Sequence, residues 1–251
     1  MKDDHFLSVE NVVKSFGGVR AVSNVSFSLE RGALLGIIGP NGAGKTTLIN
    51  LITGFIKPDK GRILFKGMEI TKLPPYKIAE KGIARTFQIV RPFLHLPAFK
   101  NLIVPLYSRR VRRLKGGGLG DRDNVAIDLL EEVGFERDSA VPFKAASSLP
   151  HGYLKRLELA RCLALRPELL VLDELFSGMS MSEVAATVPI IEKLKDSGLT
   201  IIMVEHRLRE LFRIADRVIV MNFGEKIAEG KPSEILENEI VKAAYLGAES
   251  A

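Results

Sequence analysis

The apolar positions divide this chain into stretches of different period. From Phe6 to Gly32 it reads FLSVENVVKSFGGVRAVSNVSFSLERG, with valine, phenylalanine and serine in partial alternation. Alternation of that kind marks short half-buried strands, and Gly17-Gly18 marks a turn between them. The next stretch, ALLGIIG, is continuously apolar, the pattern of a parallel strand covered on both faces. From Lys45 the period lengthens to that of a helix, with Leu48, Leu51, Ile52 and Phe55 spaced along one face. LLVLDE (Leu169 to Glu174) and LTIIMVEH (Leu199 to His206) repeat the buried-strand pattern, each after a helical segment. Strands alternating with helices imply a parallel sheet with both faces covered. Such sheets carry their chemistry at the carboxyl ends of the strands, where Gly39, Asp173, Glu174 and His206 fall.

The segment between about Arg91 and Leu149 differs. Ala126, Leu129, Leu130 and Val133 form a helical stripe, and Gly134 supplies a stop. This segment reads as an inserted helical lobe. RVIVMNFGEKIAEG (Arg217 to Gly230) reads as a hairpin turning at Phe223-Gly224, followed by a short helical tail.

Composition narrows the class of protein only a little. Hydrophobic residues make up 46% and charged residues 26% of 251, an ordinary globular balance. No apolar run is long enough to cross a bilayer, and MKDDHF lacks the apolar core of a signal peptide. The single cysteine, Cys162, excludes an intrachain disulfide and reads as a small buried helical residue. The net charge of +6 suits anionic partners without choosing among nucleotides, acidic lipids and nucleic acid. Much of the excess lies in RRVRRLK (Arg109 to Lys115), before GGGLG, and is expected to be a solvated mobile loop. It lacks the interleaved aromatics of a single-strand binder.

GPNGAGKT, Gly39 to Thr46, is the most specific feature. Its glycines let successive backbone N–H groups turn toward phosphate oxygens, and the following helix directs its positive end there. Lys45 can reach the outer phosphates, and Thr46 offers a hydroxyl to Mg2+. A buried strand before it and an amphipathic helix after it are the context this motif requires. A plain glycine-rich turn would leave the lysine unexplained. Asp173 ends a buried strand, a costly place for a carboxylate without a cation or donors, and reads as the Mg2+ holder. Glu174 is then the general base for a water attacking the γ-phosphate, the alternative being a cap on the next segment. His206, after the third strand, reads as a hydrogen-bonding partner of the γ-phosphate, the alternative being a structural histidine.

Together these pieces resemble the ATP-binding-cassette ATPases, the motor subunits of ABC transporters, over essentially the whole chain. The resemblance implies an α/β fold: a P-loop NTPase (RecA-like) core with a mainly parallel sheet, an N-terminal antiparallel β subdomain and an inserted helical subdomain. It implies one ABC domain over 1–251, with the core in 1–90 and 150–251 and the insert in 91–149. ATP and Mg2+ are the implied ligands. The phosphates would lie against Gly39, Pro40, Asn41, Gly42, Ala43, Gly44, Lys45, Thr46 and Thr47. Phe16, in KSFGG, falls where the family stacks an aromatic on adenine. Gln88, in IARTFQ, matches the glutamine that meets Mg2+ and water and couples the core to the helical lobe. Thr46, Gln88 and Asp173 are thus the implied metal ligands, and Glu174, His206 and Gln88 the implied catalytic group. Ser177 lies in the D-loop.

GIARTFQ, KRLELARCLA and the terminal AAYLGAE are similar to the importer ATPases for branched-chain amino acids and related small polar solutes. That likeness implies a second ATPase subunit, membrane permeases and, indirectly, a solute-binding protein, with no nucleic-acid partner. It implies a peripheral location on the cytoplasmic face of a bacterial or archaeal membrane. Two rival classes are a nucleotide-binding regulatory subunit with little turnover and a soluble cassette protein acting on nucleic acid or ribosomes.

LPHGY (Leu149, Pro150, His151, Gly152, Tyr153) stands where the family carries L-S-G-G-Q, the signature that meets the partner's γ-phosphate. Pro150 replaces the serine, His151 the first glycine and Tyr153 the glutamine, while Gly152 is retained. Proline suits a first helical turn, so the helix dipole should survive while one hydroxyl contact is lost. Such a contact is worth about 1.5–3 kcal/mol. His151, Tyr153 or Ser148 could compensate. Leu175 in place of proline and Ser180 in place of an acidic or amide residue are further departures. The expectation is an asymmetric pair: a subunit with an intact cradle and a weakened signature, partnered by a different ATPase.

Overall fold

The computed structural model describes residues 5–114 and 120–246. Lys115, most of GGGLG and the end of AAYLGAE lie outside the described residues. In chain order the first elements are β1 (Leu7–Phe16), β2 (Val19–Leu29), β3 (Leu34–Ile38), α1 (Lys45–Ile52), β4 (Lys60–Phe65), β5 (Met68–Glu69) and α2 (Pro75–Lys81). There follow β6 (Ile83–Arg85), α3 (Ile103–Leu106), α4 (Arg109–Leu114), α5 (Arg122–Glu132), α6 (His151–Leu163), β7 (Leu169–Asp173) and α7 (Met181–Asp196). The last are β8 (Thr200–Val204), α8 (Leu208–Ile214), β9 (Arg217–Asn222), β10 (Glu225–Gly230), α9 (Pro232–Glu237) and α10 (Glu239–Leu246).

Two compact units result, one from the residues up to Ile78 and from Gly198 onward, the other from Ala79–Ser197. In the first unit an antiparallel sheet runs in the order β2-β1-β4-β5. Leu7, Val9 and Val12 of β1 and Val22, Val25, Phe27 and Leu29 of β2 are buried; alternation holds within Leu7–Val9 and Val25–Leu29, while the three-residue steps Val9–Val12 and Val22–Val25 coincide with shifts of the β1–β2 register. The same unit holds β3 between parallel β8 and β9. Every residue of β3 and β8 is buried, which explains their uninterrupted apolar runs. Helix α8 lies so close to β3 that a methyl on Gly36 would stand 3.0 Å from Leu211. The β9–β10 hairpin turns at Phe223 (φ 44°) and Gly224 (φ 82°). Positive φ at both central residues is what a tight twisted hairpin demands.

The second unit carries the parallel pair β6–β7 and helices α3 to α7. In α5, Ala126 and Leu130 face inward, Val133 is buried just beyond, and Gly134 leaves the helix at φ 85°. Helix α7 starts with a capping box: Ser180 Oγ accepts from the Glu183 N–H, and the Glu183 carboxylate accepts from the Ser180 N–H.

Two expectations need correction. Phe55 does not lie on the helical face: α1 ends at Ile52, Phe55 is exposed, and Ile49 completes the buried stripe. The basic run from Arg109 is a helix, not a loop, as far as Leu114. Val111 is buried, and the Arg110 guanidinium donates to the carbonyls of Arg166 (2.9 Å) and Glu80 (3.4 Å) and pairs with Glu168 (3.2 Å). Arg110 therefore anchors the segment, while Arg109, Arg112 and Arg113 face solvent.

Candidate functional site

In the first unit, β3 hands over to the glycine loop at Gly39, whose φ is 149°. A Cβ there would lie 2.1 Å from the Met221 carbonyl oxygen of β9, so only glycine lets the chain leave the sheet at this point. Gly44 (φ 97°) caps α1, and a Cβ on it would lie 2.3 Å from the carbonyl of Ala21 in β2. A glycine cap offers no side-chain acceptor, and the first turn of α1 contains no acidic residue. The positive end of this helix is thus left to an external anion. Lys45 is 6% exposed, and its ammonium folds back over the loop, donating to Gly39 O (2.6 Å) and Pro40 O (2.9 Å). Asn41, Gly42 and Thr46 are exposed and Thr47 half-buried, while Ala43 is packed inside. This arrangement fits a triphosphate: exposed loop residues, a helix end without a side-chain cap and an ammonium folded over the loop.

The loop is braced from outside by parts the motif does not contain. The Gly224 N–H donates to Ala43 O (3.1 Å), and the Ser23 N–H donates to Gly224 O (2.8 Å). The Tyr245 hydroxyl takes a hydrogen bond from the Gly39 backbone, while burial pushes its phenol above the ordinary value. His206 lies two residues beyond β8, and the register Ile37↔Val204 brings it level with Gly39, two residues beyond Ile37. Phe16 pairs with Val19 at the tip of the β1–β2 hairpin. Val19 stands two residues from Ala21, the neighbour of Gly44, or about 7 Å along the strand. Phe16 is 49% exposed, with the Lys14 ammonium 5.5 Å from its ring centroid.

In the second unit, Asp173 closes β7. Its Oδ2 pairs with Arg85 Nη2 at 2.7 Å, with the two side chains 3% and 7% exposed. Its backbone N–H donates to Thr86 Oγ1 (3.2 Å). Glu174 follows with φ 50°, a left-handed conformation uncommon for a residue with a Cβ, and its Oε2 accepts from Gln88 Nε2 at 2.7 Å. The fold thus places Gln88 against Glu174, next to Asp173 in the chain. Arg85, although it lies in IARTFQ, carried no local signal of its role, because its partner is 88 residues away. No cluster of three or more His, Cys, Asp or Glu suited to a metal occurs among the described residues. A Mg2+ that keeps its waters and binds substrate phosphates needs only one or two protein oxygens; Thr46 in the first unit is exposed and carries a hydroxyl, and Asp173 in the second carries a carboxylate, each an oxygen donor of the right kind.

The LPHGY stretch starts α6, also in the second unit. Pro150 is the N-cap residue (φ −56°, ψ 156°), one position earlier than a first-turn proline, and α6 begins at His151. Leu149 is buried and Pro150 exposed. Gly152 is tightly covered: a Cβ on it would lie 2.1 Å from Glu183 Oε1, whose carboxylate accepts from the Gly152 backbone. The Ser180 backbone bond, first among several, holds the Glu183 carboxyl below the usual range. His151 packs its ring over Gly178, 3.0 Å from where a Cβ would stand. Tyr153 donates to Glu136 (2.9 Å), lies edge-on to Phe135 (5.0 Å) and sits under the Arg156 guanidinium (4.2 Å). Ser148 Oγ donates to Ala145 O (2.8 Å). Of the three candidates to replace the missing serine, Tyr153 and Ser148 are thus engaged within the unit. Cys162, buried in α6 with its thiol donating to Arg85 O at 3.1 Å, has its pKa pushed well up by burial, in keeping with a packing role.

Residues 22–177 match the ABC transporter family, and residues 225–251 match the branched-chain amino acid ATP-binding cassette transporter family. The chain is 37% identical over 251 residues to the high-affinity branched-chain amino acid transport ATP-binding protein BraF of Pseudomonas aeruginosa, covering 96% of this chain and 97% of that one. It is 36% identical over 243 residues to the lipopolysaccharide export system ATP-binding protein LptB of Escherichia coli, with 96% and 97% covered. The crystal structure of the ADP conformation of MJ1267, an ATP-binding cassette of an ABC transporter, superposes with a TM-score of 0.82 at 33% identity, over 97% of this chain and 99% of that one.

Proposed function

The chain belongs to the ABC transporter family of ATP-binding cassettes, and from that footing we propose that it hydrolyses ATP to drive uptake of branched-chain amino acids or a related small polar solute. The match at residues 225–251 and the likeness to BraF support the solute class; identity alone does not favour uptake, since it is nearly the same to LptB of an export system. The observation that carries the reading is the glycine cradle, with Lys45 folded over it and the end of α1 left uncapped.

In this reading the backbone of Gly39 to Thr47 and the ammonium of Lys45 bind the phosphates, and Phe16 stacks on the adenine. Thr46, Asp173 and Gln88 would hold Mg2+, which when bound supplies charge neutralisation at the phosphates. Glu174 accepts the proton of the attacking water, with its carboxylate oriented by Gln88. His206 donates to the γ-phosphate. Leu149 to Tyr153 face the nucleotide of a second cassette. There the absent serine hydroxyl and the Glu183 carboxylate on Gly152 both weaken the hold on a phosphate, which favours a heterodimer over a pair of identical chains. Permease subunits would keep the assembly on the cytoplasmic face of the membrane; no helix among the described residues is long and apolar enough to cross it.

Glu174→Gln provides the test. The variant should bind ATP normally, lose at least ~100-fold in turnover and accumulate an ATP-dependent dimer, more readily with a different cassette than with itself. Unchanged turnover would remove Glu174 from the mechanism, and an equally tight homodimer would remove the asymmetry.

A further inference from the structure

Lys155, one turn into α6, is among the largest fully buried side chains of the protein at 1% exposure. A buried ammonium is costly unless it is bonded to acceptors. Lys155 Nζ donates to the backbone carbonyls of Gln88 (2.9 Å) and Glu174 (3.2 Å), residues from two segments far apart in sequence. These two residues are also joined through their side chains, Gln88 Nε2 to Glu174 Oε2. The ammonium thus holds the main chain at both ends of the same hydrogen bond. Glu174 needs such support, because its φ of 50° is unfavourable for a residue with a Cβ. Its carbonyl receives both the Lys155 ammonium and the Ser177 N–H (3.1 Å), which fixes the peptide plane following the strained residue. A lysine suits this place because its unbranched stem threads a packed interior and its three N–H donors can serve two carbonyls at once.

We propose that Lys155 is a positioning residue for ATP hydrolysis: it locks the backbones of Gln88 and Glu174 together so that the Glu174 carboxylate stays aimed at the attacking water. The inference rests on the reading of Glu174 as general base. It makes α6 more than a carrier of LPHGY, since the helix also determines where the base stands.

The test uses the full chain in the hydrolysing assembly that the Glu174→Gln experiment identifies. Lys155→Met keeps the stem and removes the donors. It should lower kcat about 10–100-fold, the range expected when a reacting group is displaced by about 1 Å. KM for ATP should stay within about 2-fold, because the phosphate loop is untouched. Lys155→Arg, which keeps charge and donors, should recover most of the loss. In the Glu174→Gln background Lys155→Met should have little further effect on the residual rate, because the two act through the same carboxylate. A folded Lys155→Met protein with wild-type kcat overturns the proposal, as does an equal loss in both backgrounds. Should Lys155→Met not fold, Lys155→Leu, which likewise carries no donor, is judged by the same criteria. If Glu174→Gln itself keeps full turnover, the general-base reading has failed; if it loses turnover and the Lys155 variants do not, only the present inference has.

Discussion

Replacing Arg85 by methionine isolates the buried ion pair beneath the candidate site. Arg85 and Asp173 are 7% and 3% exposed and meet at 2.7 Å, so the substitution leaves a carboxylate in the interior without its cation. Removing one partner of such a pair costs about 3–5 kcal/mol, chiefly the penalty of the stranded charge. The arginine also lies 5.2 Å from the centroid of the Phe87 ring. Losing that contact adds at most about 1 kcal/mol, so the charge term dominates. The Asp173 N–H bond to Thr86 Oγ1 is unaffected and should keep the strand end in place. Urea unfolding without nucleotide is the assay. With a denaturant slope of about 3 kcal/mol/M for a chain of this size, the midpoint should fall by about 1–2 M. Arg85→Met combined with Asp173→Leu removes both charges and should return to within about 1 kcal/mol of wild type. A single variant that loses under ~1 kcal/mol, or a double variant no better than the single one, would refute the argument that desolvation governs this pair.

Two other outcomes follow from local geometry. Gly39→Ala and Gly42→Ala should separate sharply, since a Cβ on Gly39 meets the Met221 carbonyl at 2.1 Å whereas one on Gly42 meets nothing within 4 Å. Gly42→Ala should cost about 1 kcal/mol for its φ of 78° and Gly39→Ala about 3 kcal/mol or more, with loss of nucleotide binding; thermal melts and fluorescent-ATP titration would expose the reverse order. Glu158 concerns pH: burial, the largest influence, raises its carboxyl despite Arg161 at 2.7 Å, so the folded protein takes up this proton more readily than the unfolded chain. The penalty on the charged form is present at neutral pH and is relieved as pH falls through the raised value toward about 4.3, the ordinary glutamate value. Glu158→Gln should therefore lose any advantage over wild type on acidification in urea titrations across pH, and an advantage that grows would contradict the sign.

The chemistry that depends on neighbours in sequence was legible without coordinates. GPNGAGKT lies between a strand and a helix as its flanking pattern required, and the buried runs became β3, β7 and β8. The Phe223-Gly224 turn is where the hairpin reverses. The strands β5 and β6, of two and three residues, are too short to establish a period, and β4 opens on the exposed Lys60, Gly61 and Arg62, which leaves only ILF as an apolar run. RRVRRLK misled for a related reason: its charge density described a solvated segment, while Arg110 is satisfied by carbonyls contributed from elsewhere.

Local order of glycine, apolar and charged residues was thus sufficient to determine the phosphate loop, the strand ends that bear Asp173, Glu174 and His206, and the departures in LPHGY. The folded chain alone decided what stands behind them: Arg85 against Asp173, Lys155 across Gln88 and Glu174, Glu183 over Gly152, and the Gly224 turn under Ala43. A glycine's permitted φ or a strand's period is a property of the residue and its immediate neighbours. A buried charge takes whatever partner packing brings within about 3 Å, and that depends on the whole fold.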